Sequence, residues 1–235
     1  MRKLFLLLLV ALPLMAAGQE KLEIAASFHS IDVRGNVSVK IIANAEGDSA
    51  THASLMLDGL KLSEVKCEVK NGCLNVDVER GLLDKKGEVK LEIHTSGLKM
   101  IASNGATIKN DGCLASQDLT IETMGASNTI ALNVEVKNLI VNSSGASDVQ
   151  LTGRVDGAML NSRLSSRIDM LHCVTTNAYC RVSEASEIYV FPLDLLDAKA
   201  TTMGTVYYMG APTLRGKSTL WGGIISLDQY AGKDL

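Results

Sequence analysis

Two carboxylates, Asp148 and Glu187, are candidates for hydrolytic chemistry in this chain. Held about 6.5–9.5 Å apart in a groove, such a pair cuts a glycosidic bond with inversion, one as acid and one as base. His172 beside Cys173 is a second pairing to weigh, but in a strand adjacent residues face opposite sides, so the two make a poor nucleophile and base. The four histidines, at 29, 52, 94 and 172, are too scattered to suggest a metal centre. No Ser-His-Asp elbow, HExxH, Walker loop or Gly-Gly-x-Gly-x-Asp repeat occurs, so no catalytic residue, metal or cofactor is assigned. Five cysteines are an odd count, which leaves at least one thiol free or paired between chains. A formal charge of −3 with a pI near 5.8 argues against nucleic acid as a partner.

Aromatic rings offer binding rather than bond-breaking. They make up only 4% of the chain, yet Tyr179, Tyr189, Phe191, Tyr207, Tyr208, Trp221 and Tyr230 all fall near its C-terminal end. Rings exposed on a strand can stack on sugars or anchor a protein partner. Tyr189, Phe191 and Tyr207 are therefore the candidate contact residues, with the opposing expectation that they only stack on one another and seal the last turns.

The elements that must position these residues are short strands. The chain has 235 residues, 46% hydrophobic and 21% charged, and 20 glycines against three prolines, which suits many strands joined by tight turns. Residues 1–18 read as a secretory signal: Arg2 and Lys3 precede an apolar run from Leu4 to Met15, then Ala16-Ala17-Gly18. Gln19 stands where a lipoprotein would need Cys, so export without a lipid anchor is expected, to the periplasm or the cell surface. No other segment is long and apolar enough to cross a membrane as a helix.

From Leu98 the sequence divides into rungs of 18 to 21 residues, beginning LKMIASNGATIKNDGCLASQD and LTIETMGASNTIALNVEVKN. One column carries Met100, Ile121, Val141, Leu160 and Cys180, and a second carries Ile108, Ile130, Val149, Ile168, Ile188, Val206 and Ile224. Alternation within each rung is the strand period of two. Recurrence without intervening helix fits a β-solenoid, with rungs stacked about 4.8 Å apart. The column before Ile108 reads Thr107, Thr129, Asp148, Arg167, Glu187, Thr205; Asp148, Arg167 and Glu187 are expected to form a structural charge ladder, which argues against catalytic carboxylates. Tyr189 is expected to stack on Tyr207 one rung away, with Tyr208 pointing inward and Phe191 covered by the loop PLDLLDA.

Gly105, Gly125 and Gly145 recur at the corner between columns, where Leu164, Glu184 and Met203 stand in later rungs, so positive φ there is left open. Cys180 falls in a core column, and Cys113 and Cys173 near a column with Val155 and Leu214. SEVKCEVKNGCLNVDV reads as a hairpin pairing Val69 with Leu74, Cys67 with Val76 and Val65 with Val78, with Cys73 outward. Residues 19–97 form the strand-rich start and cap and 98–235 the regular rungs, together one continuous domain. In FHSIDVRGNVSVKII, Ile31, Val33, Val37 and Val39 face inward.

The opening FHSIDVRGNVSV, the KNGCLNV hairpin, the SGASDV corner and the final VYYMGAP together resemble the bacterial head GIN domain family of auto-transporter adhesins. The resemblance implies a right-handed parallel β-helix-like fold, adhesion to a glycan or an envelope or surface protein, and no established catalytic residue. A polysaccharide-active lyase or glycosidase, or a structural periplasmic protein that assembles into oligomers, is the alternative.

Overall fold

In a computed structural model, which describes residues 19–44, 51–78 and 87–228, the alternating pattern becomes strands throughout, with a single 3-10 turn at Leu62–Glu64. The leader expected at 1–18 and Tyr230 lie outside the described residues. Seventeen strands follow one another. The first seven are β1 (Gln19–Ile24), β2 (Ser30–Arg34), β3 (Val37–Ala43), β4 (His52–Asp58), β5 (Val65–Lys70), β6 (Cys73–Val78) and β7 (Glu88–Thr95). Then come β8 (Met100–Asn104), β9 (Thr107–Asp111), β10 (Leu114–Thr123), β11 (Thr129–Ser144), β12 (Asp148–Arg163), β13 (Arg167–Val182), β14 (Glu187–Thr201), β15 (Thr205–Tyr208), β16 (Thr213–Thr219) and β17 (Gly223–Ser226).

From β8 onward each strand pairs in parallel with its counterpart one rung later, which makes a β-solenoid with rungs of about 20 residues. Ile108, Ile130, Val149, Ile168, Ile188, Val206 and Ile224 are register partners in succession. All but Ile224 are fully buried, and each such side chain contributes about 1.5–3 kcal/mol of apolar burial. The first column needs one correction. Ile101, not Met100, pairs with Ile121, while Met100 pairs with Thr120 and faces outward. A slip of one residue reverses the face of a strand, and the corner after Ser103 is two residues shorter than the next and one shorter than those that follow.

The N-terminal part both continues and caps the stack. Ile31, Val33, Val37 and Val39 are buried, and β2 and β3 form a rung beside β8 and β9. On its other side lie β6 and β7, which come later in sequence. Beyond these the pairing turns antiparallel: β5 on β6 with the expected hairpin register, β4 on β7, and β1 on β4.

Three smaller expectations change. Cys113 is exposed rather than in the core, whereas Cys173 and Cys180 are buried, and burial pushes both thiols up to about 12. Leu214 pairs with Leu196 and is largely exposed, while Val155 pairs with Thr175, so these two do not share a column. The segment PLDLLDA is part of β14 and not a loop.

Candidate functional site

The aromatic residues singled out by sequence sit on β14 and β15. Tyr189 pairs in register with Tyr207, and their rings stack with centroids 4.6 Å apart at 15°. The Arg167 guanidinium lies 4.3 Å from the centroid of the Tyr189 ring. The Tyr189 hydroxyl donates to Glu187 Oε2 at 3.1 Å. Burial first, then the Glu187 carboxylate, pushes that hydroxyl up to about 12. Register puts Arg167 one rung before Glu187 and Tyr207 one rung after Tyr189, so the ring is stacked from both rung neighbours and offers an incoming sugar only its edge. Phe191 is half-buried, and its ring lies 3.0 Å from where a Cβ on Gly210 would stand. The cover is thus the turn after β15, pinned by Gly210 N donating to Asp228 Oδ2 at 2.7 Å. Tyr208 packs against the core beside Val190.

The charge column is in register as read: Asp148 beside Arg167 beside Glu187. Its ion pairing differs from the expected ladder. Arg167 Nη2 binds Asp169 Oδ2 at 2.8 Å, two residues along its own strand, and that hydrogen bond is the first cause of its raised pKa. Gln150 donates to Asp148 Oδ2 at 3.0 Å. The guanidinium plane is taken by the Tyr189 ring, which turns its donors toward Asp169. Arg167 thus stands between the two carboxylates, an arrangement that suits a charge-paired surface better than an acid and a base sharing one substrate. Among the described residues no three His, Cys, Asp or Glu side chains are grouped to hold a metal ion.

The corner answers the question about φ. Gly105, Gly125 and Gly145 have φ of 94°, 75° and 73°, and Leu164 and Glu184 have 57° and 58°; register puts Thr202, with φ 50°, at this position and Met203, with φ 62°, one residue later beside Ala185. The geometry is kept through the stack whatever residue stands there. A buried polar ladder beneath it fixes the turn. Asn128 Oδ1 accepts from Ser103 Oγ at 2.8 Å and Gly105 N at 2.7 Å, and its Nδ2 donates to Met124 O and Ser147 Oγ at 2.8 and 3.0 Å. Ser166 Oγ, one rung further, donates to Ser143 O or Arg163 O at 2.9 Å. Sequence reasoning noted the small residues here and missed this role; its signal is a small polar residue, Asn128, Ser147, Ser166 or Ser186, at the same place in successive rungs.

The same corner borders a groove that sequence reasoning also missed. It encloses about 590 Å³ along the later half of each rung, whereas the stacked tyrosines lie on the earlier half, and is lined by residues of β10 to β14 including Asn142, Ser144, Asn161, Arg163, Arg181 and Lys199. Asn161 Nδ2 donates to Asn142 Oδ1 at 2.9 Å, which links these two amides across adjacent rungs. Arg181 Nη1 is held by Asp197 Oδ1 at 2.9 Å. Ile140, Met159 and Tyr179, also in register, form an exposed apolar strip two residues before the amides and Arg181 on the same strands. The groove presents the amides of Asn142 and Asn161, the cations Arg163, Arg181 and Lys199 and, one rung before Asn142, the carboxylate of Glu122, with Tyr179 just outside its lining.

A family model described as "Putative auto-transporter adhesin, head GIN domain" matches residues 27–212. The chain is similar in structure to a "putative adhesin" of Bacteroides fragilis, at 19% identity and a TM-score of 0.72, covering 90% of this chain and 97% of that one. It is also similar to a "putative lipid binding protein" of Parabacteroides distasonis, at 19% identity and TM-score 0.69, covering 89% and 97%. A third, a "putative adhesin" of Parabacteroides merdae, has 16% identity and TM-score 0.68, covering 89% and 96%. At these identities the likeness is one of fold. No curated protein matches.

Proposed function

This chain belongs to the head GIN domain family of auto-transporter adhesins, and from that premise we propose that it is an exported, non-enzymatic binding protein of the cell envelope or surface. We place its contact surface on the groove wall of β10 to β14. The observation that carries this is the groove itself: an open channel, lined by polar and apolar side chains alike, that runs across successive rungs with the Asn142–Asn161 amide pair in it. A linear polymer fits such a channel because it meets a hydrogen-bonding or charged side chain at each rung, Asn142, Asn161, Arg181 and Lys199 in turn. Tyr189, Phe191 and Tyr207 serve packing in this reading, since stacking and the Gly210 turn take up their ring surface. A buried lipid fits less well, because the interior is filled by apolar columns.

The test is a glycan array read for both retention and product release. Wild type is expected to retain one or more glycans at unchanged length. Asn161→Trp, which fills the groove, is expected to lose that retention, and Tyr207→Ala to keep it. Shortened glycan from wild type but not from Asp148→Ala or Glu187→Ala would establish an enzyme instead. Loss in Tyr207→Ala alone would return the contact to the aromatic column.

A further inference from the structure

Along the groove Arg181 pairs in register with Lys199, and Lys199 with Lys217 just beyond the groove's lining, so three cations stand on consecutive rungs about 4.8 Å apart. Arg163 lies one rung earlier on the groove rim, and Arg215 stands two residues before Lys217 on the same face of β16. All five side chains are exposed. Asp197 is engaged with Arg181. Among the described residues, no ion pair or side-chain hydrogen bond holds Arg163, Lys199, Arg215 or Lys217. Like charges placed directly opposite one another destabilise a ladder. Here they are concentrated on one wall of a chain whose formal charge is −3.

We propose that this ladder is a binding site for a linear acidic polysaccharide, one carrying a carboxylate or sulfate on successive sugars. The proposal rests on the groove being the contact surface and names its ligand class. Charge complementarity is the first argument: a polyanion threaded along the rungs neutralises the repulsion among Arg181, Lys199 and Lys217. Spacing is the second, since a chain of linked sugar rings advances by roughly one strand spacing per residue, so successive anions meet successive rungs. The third is the flanking chemistry. Asn142, Asn161, Ser144 and Thr201 match sugar hydroxyls, while Ile140, Met159 and Tyr179 match the apolar faces of the rings. Tyr179 is 41% exposed and, unlike Tyr189, carries no stacked ring or guanidinium among the described residues. A lipid headgroup layer shares the charge but not the need for a hydroxyl-matching groove.

Binding of the full-length protein to polygalacturonate and heparin is measured beside neutral dextran, the retained glycans of the array and phosphatidylglycerol vesicles. The acidic polymers are expected to bind, and to bind more weakly as salt rises, because displaced counterions drive the association. Lys199→Glu with Lys217→Glu is expected to weaken that binding by at least about tenfold without lowering the thermal midpoint, since both side chains are exposed and the repulsion with Arg181 is removed. Retention of neutral glycans with no effect of the charge reversals would overturn the acidic ligand and leave the groove reading intact. Failure to retain any glycan, neutral or acidic, would overturn both. Tighter charge-dependent binding to the vesicles than to either acidic polymer would assign the ladder to a membrane surface and sink the proposal.

Discussion

Gly145 and Leu164 occupy the same turn one rung apart, and both have left-handed backbone. For Gly145 the requirement is twofold, because an added Cβ would also stand 2.8 Å from the Gly125 carbonyl oxygen. Leu164 is 53% exposed and meets only the conformational cost, about 1–2 kcal/mol for a residue with a Cβ. Gly145→Ala is therefore expected to lower stability by about 1–3 kcal/mol. Leu164→Gly is expected to be close to neutral, because relieved strain is offset by the entropy of a glycine, about 0.5–1 kcal/mol. Urea midpoints of the two variants check this, and equal losses would show that φ alone does not govern the corner. The left-handed requirement was not legible in the sequence, since a leucine and a glutamate stand where glycine is the usual sign.

At the scale of the strands and turns, the corner is held by side chains reaching from one rung into the next. Asn128 alone makes contacts to β8, to its own turn and to the Ser147 turn. Asn128→Ala removes these and leaves the buried Ser103 and Ser147 hydroxyls and the part-buried Gly105 N–H short of a partner, so a loss of about 2 kcal/mol is expected in denaturant unfolding. A loss below about 0.5 kcal/mol, the ordinary range for surface changes, would mean that the turn holds itself. The inward columns were readable because apolar burial imposes a period of two inside each rung and a return every rung. The outward face gives no such signal. Arg181, Lys199 and Lys217 align only once the register is known, and while the stack of Tyr189 on Tyr207 follows from alternation and rung spacing, Arg167 over the Tyr189 ring does not. Polar bonds between rungs escape periodicity as well, since hydrogen-bonding partners need matching geometry rather than matching hydropathy.

Over the whole molecule the two ends differ. One is closed by the antiparallel strands β1, β4 and β5, while the other ends on β16 and β17, where Leu214, Leu220 and Trp221 are 45%, 69% and 92% exposed. A stack whose rungs touch only their neighbours is held least at an end that lacks one. Amide hydrogen exchange is expected to be slowest in β11 to β13 and fastest in β16 and β17. Uniform protection along the stack would mean that something further supports the last rung. The first rung in sequence, by contrast, is an interior one: β2 lies between β6 and β8, with Ser30 opposite both Cys73 and Met100. A polypeptide delivered N-terminus first therefore cannot assemble in the order in which it arrives. Until residue 104 has emerged, β2 lacks one neighbour, and the long closure from Ser30 to Met100 must be made against chain entropy. Nucleation is then favoured in the regular central rungs, with growth backward to seat β2 and β3, so that the oldest segment of the chain is among the last to find its place.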